Sequence, residues 1–371
     1  LTDPVINDLQ VLMLGYGLAG RFFHTPLIEA TSGYTICGVV TRDPERRQQA
    51  LADIPGVAIY DSLEDALNSA PAVDLVVVAN ANRAHVRDAH RAIAAGKHVV
   101  VDKPLAGSAL EAQELAQAAL DAGVQLHPFQ NRRWDSDFLT LKRAVADGKL
   151  GQIHRFESRF ERLRVTPRGN WRESNDLQDL GGVLLDFGAH LVDQALQLLG
   201  NVVSVDAYAR SIRQPESADD DMQIILTHAS GAISFLVGSQ VSAFPDPRFL
   251  LLGSRGAIRI AESDSQETHL RAGQTPDGSD WGQEPFTAQM RIGNEDGSIT
   301  ATDLAVSPGK WPHFYAAVRD SITKQTQPPV TLNEVIANLR VLDAARLSAK
   351  SGQRVILSPP ASHDTAPHTS Y

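Results

Sequence analysis

The chain has 371 residues, 43% hydrophobic and 21% charged, a globular composition that excludes wholesale disorder. Its 34 Lys and Arg against 44 Asp and Glu leave a net charge of −10, which supplies no basic footprint for nucleic acid. A single cysteine, Cys37, rules out an internal disulfide framework or a cysteine-based zinc site. The apolar runs are far too short to span a bilayer, and no basic segment followed by an apolar one opens the sequence as a secretory signal would. A cytoplasmic enzyme of about two domains is the expectation.

Apolar runs at 9–14, 34–40, 74–79, 97–101 and 124–127 predict strands, and segments of helical composition at 18–30, 63–68, 85–95 and 108–122 alternate with them. Asp43-Pro44 predicts an N-cap followed by proline at the first helical position. Strand–helix alternation with short connections predicts a doubly wound parallel sheet over residues 1–128. Beyond it, 182–199 predicts one strong helix. Strand character recurs at 153–164, 202–210, 222–228, 232–241, 249–253 and 257–260, with the hairpin-like spacing of an antiparallel sheet. Residues 262–309 are polar and read as a long excursion, and 311–323 and 332–351 read as helices. Residues 129–358 thus predict an α+β domain, and 359–371 a frayed tail.

Gly15-Tyr16-Gly17-Leu18-Ala19-Gly20 fits G-x-G-x-x-G between a predicted strand and a predicted helix, the context this motif requires. The first glycine permits the tight turn, the second lets backbone approach a pyrophosphate, and the third lets helix and strand pack closely. The helix N-terminus offers free N–H groups to the phosphates. Asp102-Lys103-Pro104 follows the strand at 97–101, on the carboxyl edge where open parallel sheets bind ligands. Proline keeps Lys103 out of helical geometry, so the lysine is either a group that polarises a substrate oxygen or a solvated turn residue.

Asp186 and His190 are four apart on the predicted helix and share a face, as a proton-transfer pair or a surface ion pair would. Asp193 lies seven beyond Asp186, on nearly the same face. No further His, Cys or carboxylate completes a metal set with them, so no metal is expected. Asn131-Arg132-Arg133-Trp134 and Trp171-Arg172-Glu173 suit polyol or phosphate recognition, or equally an interdomain ion-pair network.

The ordered set of these motifs resembles the glucose–fructose oxidoreductase/inositol dehydrogenase (Gfo/Idh/MocA) family. It comprises the glycine motif, Asn82-x-x-His85, Gly96-Lys97-His98-Val99 leading into Asp102-Lys103-Pro104, and Gly181-Gly182-x-Leu-x-Asp186-x-Gly188-x-His190-x-x-Asp193. The stretch NRRWDSDF at 131–138 and the Trp171-Arg172-Glu173 element look most like bacterial scyllo-inositol dehydrogenases. The resemblance implies an N-terminal Rossmann domain and a C-terminal α+β domain with an open, mostly antiparallel sheet that often forms the oligomer interface. A homodimer or homotetramer is expected. It further implies hydride transfer between a nicotinamide and a hydroxyl carbon of a cyclic polyol or sugar.

In that reading Lys103 is the catalytic lysine, His190 takes the hydroxyl proton, and Asp186 holds the imidazole. Asn82 and His85 match positions near the nicotinamide side, Asn80 lies in a cofactor-facing loop, Trp171 and Arg172 contact the cofactor, and Arg132 (or its neighbour Arg133) and Trp134 line the polyol pocket. Asp102 stands where the family usually has Glu, and Asn80-Ala81 replaces a usual Thr-Pro. The alternatives are a cofactor-binding regulator, or a reductase of a non-sugar carbonyl or dihydrodiol. Retention of Lys103, Asp186 and His190 together argues for chemistry.

An NAD enzyme of this fold carries Asp or Glu about 20 residues past the glycine motif, on the ribose hydroxyls. Here that place holds Thr41-Arg42. Threonine does not repel a 2′-phosphate, and Arg42, with Arg46 and Arg47 a turn further on, can grip one. Asp43 reads as a helix cap whose carboxylate points at its own backbone. NADP is therefore expected, with NAD the alternative.

Overall fold

The computed structural model describes residues 8–69 and 72–358, so the expected tail at 359–371 lies outside the described residues. Strands β1 (Leu9–Leu14), β2 (Tyr34–Val40), β3 (Ala58–Tyr60), β4 (Leu75–Val78), β5 (His98–Val101) and β6 (Leu126–Pro128) form a wholly parallel sheet in the order β3-β2-β1-β4-β5-β6. Val11, Leu12 and Met13, the whole of β4 and Val99–Val101 are buried, as a parallel sheet covered on both faces requires. The short β3 escapes sequence reading because its three residues are only half-buried and show no periodicity. The order reverses between β1 and β4, so the loops after β1, β4 and β5 converge on one edge, where such sheets bind ligands.

The predicted helix at 18–30 opens as one wide turn, Gly20–His24, in which Thr25 N–H reaches back five residues to the Gly20 carbonyl, and continues as Thr25–Glu29. Pro26 has no N–H for the ordinary ladder, which accounts for the change of spacing at that point. Asp43 caps helix Pro44–Asp53 by accepting from the N–H groups of Glu45 and Arg46.

Strands β7 (Ile153–Glu161), β8 (Val202–Arg210), β9 (Asp221–His228), β10 (Ile233–Ser239), β11 (Phe249–Gly253), β12 (Gly256–Ile260), β13 (Thr287–Gly293), β14 (Ile299–Ala305) and β15 (Val355–Ile356) build a second sheet in the order β14-β13-β12-β11-β7-β10-β9-β8-β15. Its pairs are antiparallel except β7 with β10. The stretch 262–309 is more than an excursion. It contains helix Gln266–Arg271 and the hairpin β13–β14, which lengthens the sheet. Asp296-Gly297, with Gly297 at φ +81°, and the alternation of Ala288, Met290 and Ile292 are the signals that mark this hairpin. Helix Ser136–Ala146 also goes unpredicted.

The expected single helix at 182–199 is two, Val183–Asp186 and Gly188–Leu199, broken at Phe187. The Phe187 carbonyl accepts from both His190 and Leu191, so the ladder tightens to three-residue spacing there. Helix Pro312–Lys324 returns to the first sheet: the Tyr34 hydroxyl donates to the Tyr315 carbonyl (2.8 Å), and Gln125 donates to the Ser321 carbonyl (2.9 Å). Helix Leu332–Ser351 lies between the layers, with Asp343 accepting from Ala109 N–H and Ser348 from Ala207 N–H, each at 2.9 Å.

Candidate active site

The glycine loop leaves β1 at Gly15, whose φ is +95° and where a Cβ would lie 2.8 Å from Asn80 Cα. A Cβ on Gly20 would strike the Gly15 carbonyl oxygen at 2.2 Å, the close packing expected of the third glycine. A Cβ on Gly17 would meet nothing closer beyond its chain neighbours than the Arg46 guanidinium at 3.8 Å, which leaves the backbone open to a cavity of about 240 Å³. Gly15, Gly17, Leu18, Ala19, Asn80, Asn82, Asp102, Lys103, Trp171 and Arg172 line it. Asn80 donates to Asp88 (2.8 Å), which leaves its own Oδ1 buried without a partner. Open glycine backbone, an orphaned amide oxygen and a guanidinium over the loop fit a dinucleotide.

Other expected cofactor residues stand back from this cavity. Tyr16 is buried, and its hydroxyl donates to Asp53 (3.1 Å); burial and that carboxylate push the phenol pKa up. Thr41 is buried and Arg42 is exposed, its Nε donating to the Asp61 carbonyl (3.1 Å), while Arg46 reaches the loop instead. Both ring nitrogens of fully buried His85 face carbonyl oxygens, of Pro104 at 2.9 Å and of Asn80 at 3.3 Å, so it braces the loops behind the site. Asn82, by contrast, lines the cavity and donates to the Leu180 carbonyl at 3.3 Å.

A second cavity, of about 320 Å³, meets the first along Leu18, Ala19, Asp102, Lys103, Arg172 and Asp186. At this seam the Lys103 ammonium bonds the Asp186 carboxylate and, at 3.1 Å, its main-chain oxygen. Burial alone would raise the Asp186 pKa, but the charge of Lys103, with Arg172 and Arg162 beyond, holds the carboxyl below its usual range. His190 lines the second cavity. Its Nδ1 is enclosed without a partner, which leaves Nε2 as the nitrogen the cavity can address. Burial first, then the charges of Lys103, Arg132 and Arg248, holds its pKa well below the histidine range, so the ring is neutral.

The expected Asp186–His190 bond is corrected here: no hydrogen bond joins them among the described residues, because Lys103 engages the carboxylate and the helix breaks between them. Asp102 accepts from Lys103 N–H at 2.9 Å and lies 3.9 Å from His24 Nε2. His24 is fully buried against the Tyr315 hydroxyl (2.7 Å) and its pKa is lowered to about 4 by burial. No sequence signal marked it.

Arg132 lines the second cavity, bonded to Glu267 at 2.7 Å and stacked over Phe160 at 4.9 Å. Arg133 turns away into a buried ion pair with Asp193 and Glu334, so the two neighbours divide the two readings of their motif. Trp134 does not line the cavity and packs edge-on against Phe314 instead. The aromatic lining comes instead from Phe23, Phe129, Phe160, Phe187 and the buried Trp311, whose indole N–H donates to Asp135 at 2.8 Å. Trp311, Arg248 and Glu267 come from distant segments, and nothing in their local sequence tied them to the motifs. Among the described residues no three His, Cys, Asp or Glu side chains are placed to hold a metal ion, and no helix is long and apolar enough to cross a membrane.

Residues 9–130 match the oxidoreductase family with an NAD-binding Rossmann fold, and residues 138–259 match the GFO/IDH/MocA C-terminal domain. The oxidoreductase YdgJ of Escherichia coli is 34% identical over 93% of this chain and 97% of its own length. The NADP(+) scyllo-inositol 2-dehydrogenase IolW of Bacillus subtilis is 31% identical over 95% of this chain and 97% of its own. The solved structure of the oxidoreductase yvaA from Bacillus subtilis superposes with a TM-score of 0.90 at 30% identity, covering 95% of this chain and 99% of that one.

Proposed function

The chain belongs to the Gfo/Idh/MocA family of NAD(P)-dependent oxidoreductases, and from that membership we propose that it interconverts a secondary hydroxyl and a carbonyl on a cyclic polyol or sugar, with NADP, in the cytoplasm. The observation that carries this reading is the position of Lys103 at the seam of the two cavities, reachable from both. The nicotinamide, when bound along the glycine loop, supplies the two-electron acceptor for the hydrogen on the hydroxyl carbon. Lys103 binds the reacting oxygen and offsets its developing negative charge. Asp186 is the positioning residue: it aims the ammonium through its carboxylate and main-chain oxygen. His190, kept neutral, accepts the hydroxyl proton at Nε2 in oxidation and returns it in reduction. Arg132 and Trp311 belong to the polyol-facing wall.

NADP rather than NAD is supported by uncharged Thr41, by Arg46 over the glycine loop with exposed Arg42 next to Thr41, and by the Asp43 carboxylate, which is taken up by two backbone N–H groups. A relative's name, NADP(+) scyllo-inositol 2-dehydrogenase, agrees. The proposal includes a homodimer or homotetramer through the outer face of the second sheet, where Tyr208 and Ile233 are exposed and Ile225, Phe235 and Val237 half-buried. Light scattering that finds only monomer at micromolar concentration refutes that part. The chemistry is tested with Lys103→Ala, expected to depress turnover by about two orders of magnitude or more while NADP binding by fluorescence persists. Near-wild-type turnover sinks the mechanism.

A further inference from the structure

The segment that follows β7 brings a group of guanidinium side chains to the substrate side of Lys103. Arg162, Arg168 and Arg172 all line the larger cavity. Among the described residues none of the three has a carboxylate within 4.0 Å or donates a side-chain hydrogen bond to the protein. The other basic groups on the same wall are paired: Arg132 with Glu267, Arg159 with Glu157, Arg248 with Asp137, Arg271 with Glu267 and Lys103 with Asp186. The unpaired groups are nevertheless held in place. Arg162 stacks over Phe187 at 4.9 Å and Arg172 over Trp171 at 4.3 Å. The loop carrying Arg168 is pinned by Glu173, which accepts from the Arg168 and Gly169 N–H groups and is itself neutralised by Arg213 at 3.2 Å.

With Arg164 these three surround a small niche that opens beside Asp186. Burial and the neighbouring like charges hold the Arg162 and Arg164 guanidinium groups below their usual range. Two carboxylates share the niche, but Asp186 is bonded by Lys103 and Glu173 by Arg213, so the arginines outnumber the free counter-charge; fixed planar forks of N–H donors match the oxygens of a carboxylate or phosphate. The cofactor does not meet this demand. In the dehydrogenase reading its phosphates are taken by the glycine loop and Arg46, whereas Arg162 and Arg168 line the substrate cavity and not the glycine-loop one.

We propose that the substrate is an acidic polyol or sugar, one bearing a carboxylate or phosphate that Arg162 and Arg168 bind while its hydroxyl carbon lies at Lys103. This rests on the dehydrogenase reading and narrows its substrate class. The test pairs each neutral compound with its acids, glucose with glucuronate and glucose 6-phosphate, and myo-inositol with its monophosphate. Each is measured for kcat/KM with NADP and, separately, by titration calorimetry on the NADP-loaded protein. The acid of a pair is expected to exceed its neutral partner at least tenfold in both measurements, with the better of carboxylate and phosphate naming the group.

Arg162→Gln and Arg168→Gln are each expected to cut that ratio at least fivefold, and Arg162→Lys to restore part of it. Neutral compounds that match or exceed their acids overturn the proposal, as does a ratio that neither glutamine variant moves. Turnover of neutral compounds alone overturns the anion site and leaves the dehydrogenase intact. If no compound is turned over, the dehydrogenase reading fails. The calorimetric ratio then decides the anion site: a tenfold preference lost in Arg162→Gln upholds it, and equal binding overturns it.

Discussion

Replacing Arg133 with methionine is expected to lower the thermal midpoint by about 4–6 °C. The guanidinium is 6% exposed and donates to both oxygens of Asp193, at 2.6 and 2.8 Å, and to Glu334 at 3.1 Å. These bonds join the turn Asn131–Trp134 to helices Gly188–Leu199 and Leu332–Ser351. Methionine keeps most of the volume but strands the Asp193 carboxylate, itself nearly inaccessible, without its partner. Breaking a buried pair from one side costs about 3–5 kcal/mol. An unfolding entropy of about 2.1 cal/mol/K per residue, or roughly 0.8 kcal/mol/K for this chain, converts that cost into the stated shift. Scanning calorimetry at pH 7 is the assay. Adding Asp193→Leu removes the stranded charge and is expected to recover most of the loss, since an apolar replacement of a buried pair is often neutral. The reasoning is refuted if the single variant melts within about 1 °C of wild type, or if the double variant melts below the single one.

Two further outcomes follow from the same geometry. Arg42→Ala and Arg46→Ala are each expected to raise KM for NADP about tenfold, the lower end for a charge-assisted bond at an exposed site, and to leave KM for NAD nearly unmoved. A wild-type preference for NAD of about tenfold or more in kcat/KM would contradict this reading of Thr41-Arg42. Acid is expected to destabilise the fold from near pH 6.5 downward. His24 and His127 are buried and neutral, with pKa values lowered to about 4 and about 3, so the unfolded chain takes up protons that the folded one refuses. Each contributes about 1.4 kcal/mol of loss per pH unit across that window. Glu334, held at about 2 by Arg133 and its hydrogen bonds despite burial, adds a further loss between its ordinary 4.5 and 2. Asp137 and Asp219, each raised to about 6 by burial, act in the opposite sense below that pH, so a thermal midpoint that is flat or rising from pH 7 to about pH 6 refutes the assignment.

The site divides along the same line as the predictions. The place of Lys103 at a strand tip was legible because a strand end followed by proline is a local pattern, and the Asp43 cap because Asp-Pro is one. The pairing of Asp186 was not, since i and i+4 share a face only on an unbroken helix, and this one breaks at Phe187. Trp134 and Trp311 illustrate the same gap. The first stands in the recognisable motif and packs on Phe314, while the second, 177 residues on by their numbers, is among the aromatic residues that line the cavity.

The sequence alone was sufficient for every strand of the parallel sheet but β3, for the glycine loop, for all strands of the second sheet up to 260 and for the late helices, because hydrophobic period, glycine and proline act within a few residues of themselves. It was also sufficient for the lysine at the tip of β5. Tertiary structure alone decided that Asp186 serves Lys103, that Arg132 faces the cavity while Arg133 is buried, and that Arg162 and Arg168 remain without partners. Those outcomes depend on which charged groups meet across 60 to 201 residues of chain, and burial, which gives each meeting its strength, is a property of the packed molecule.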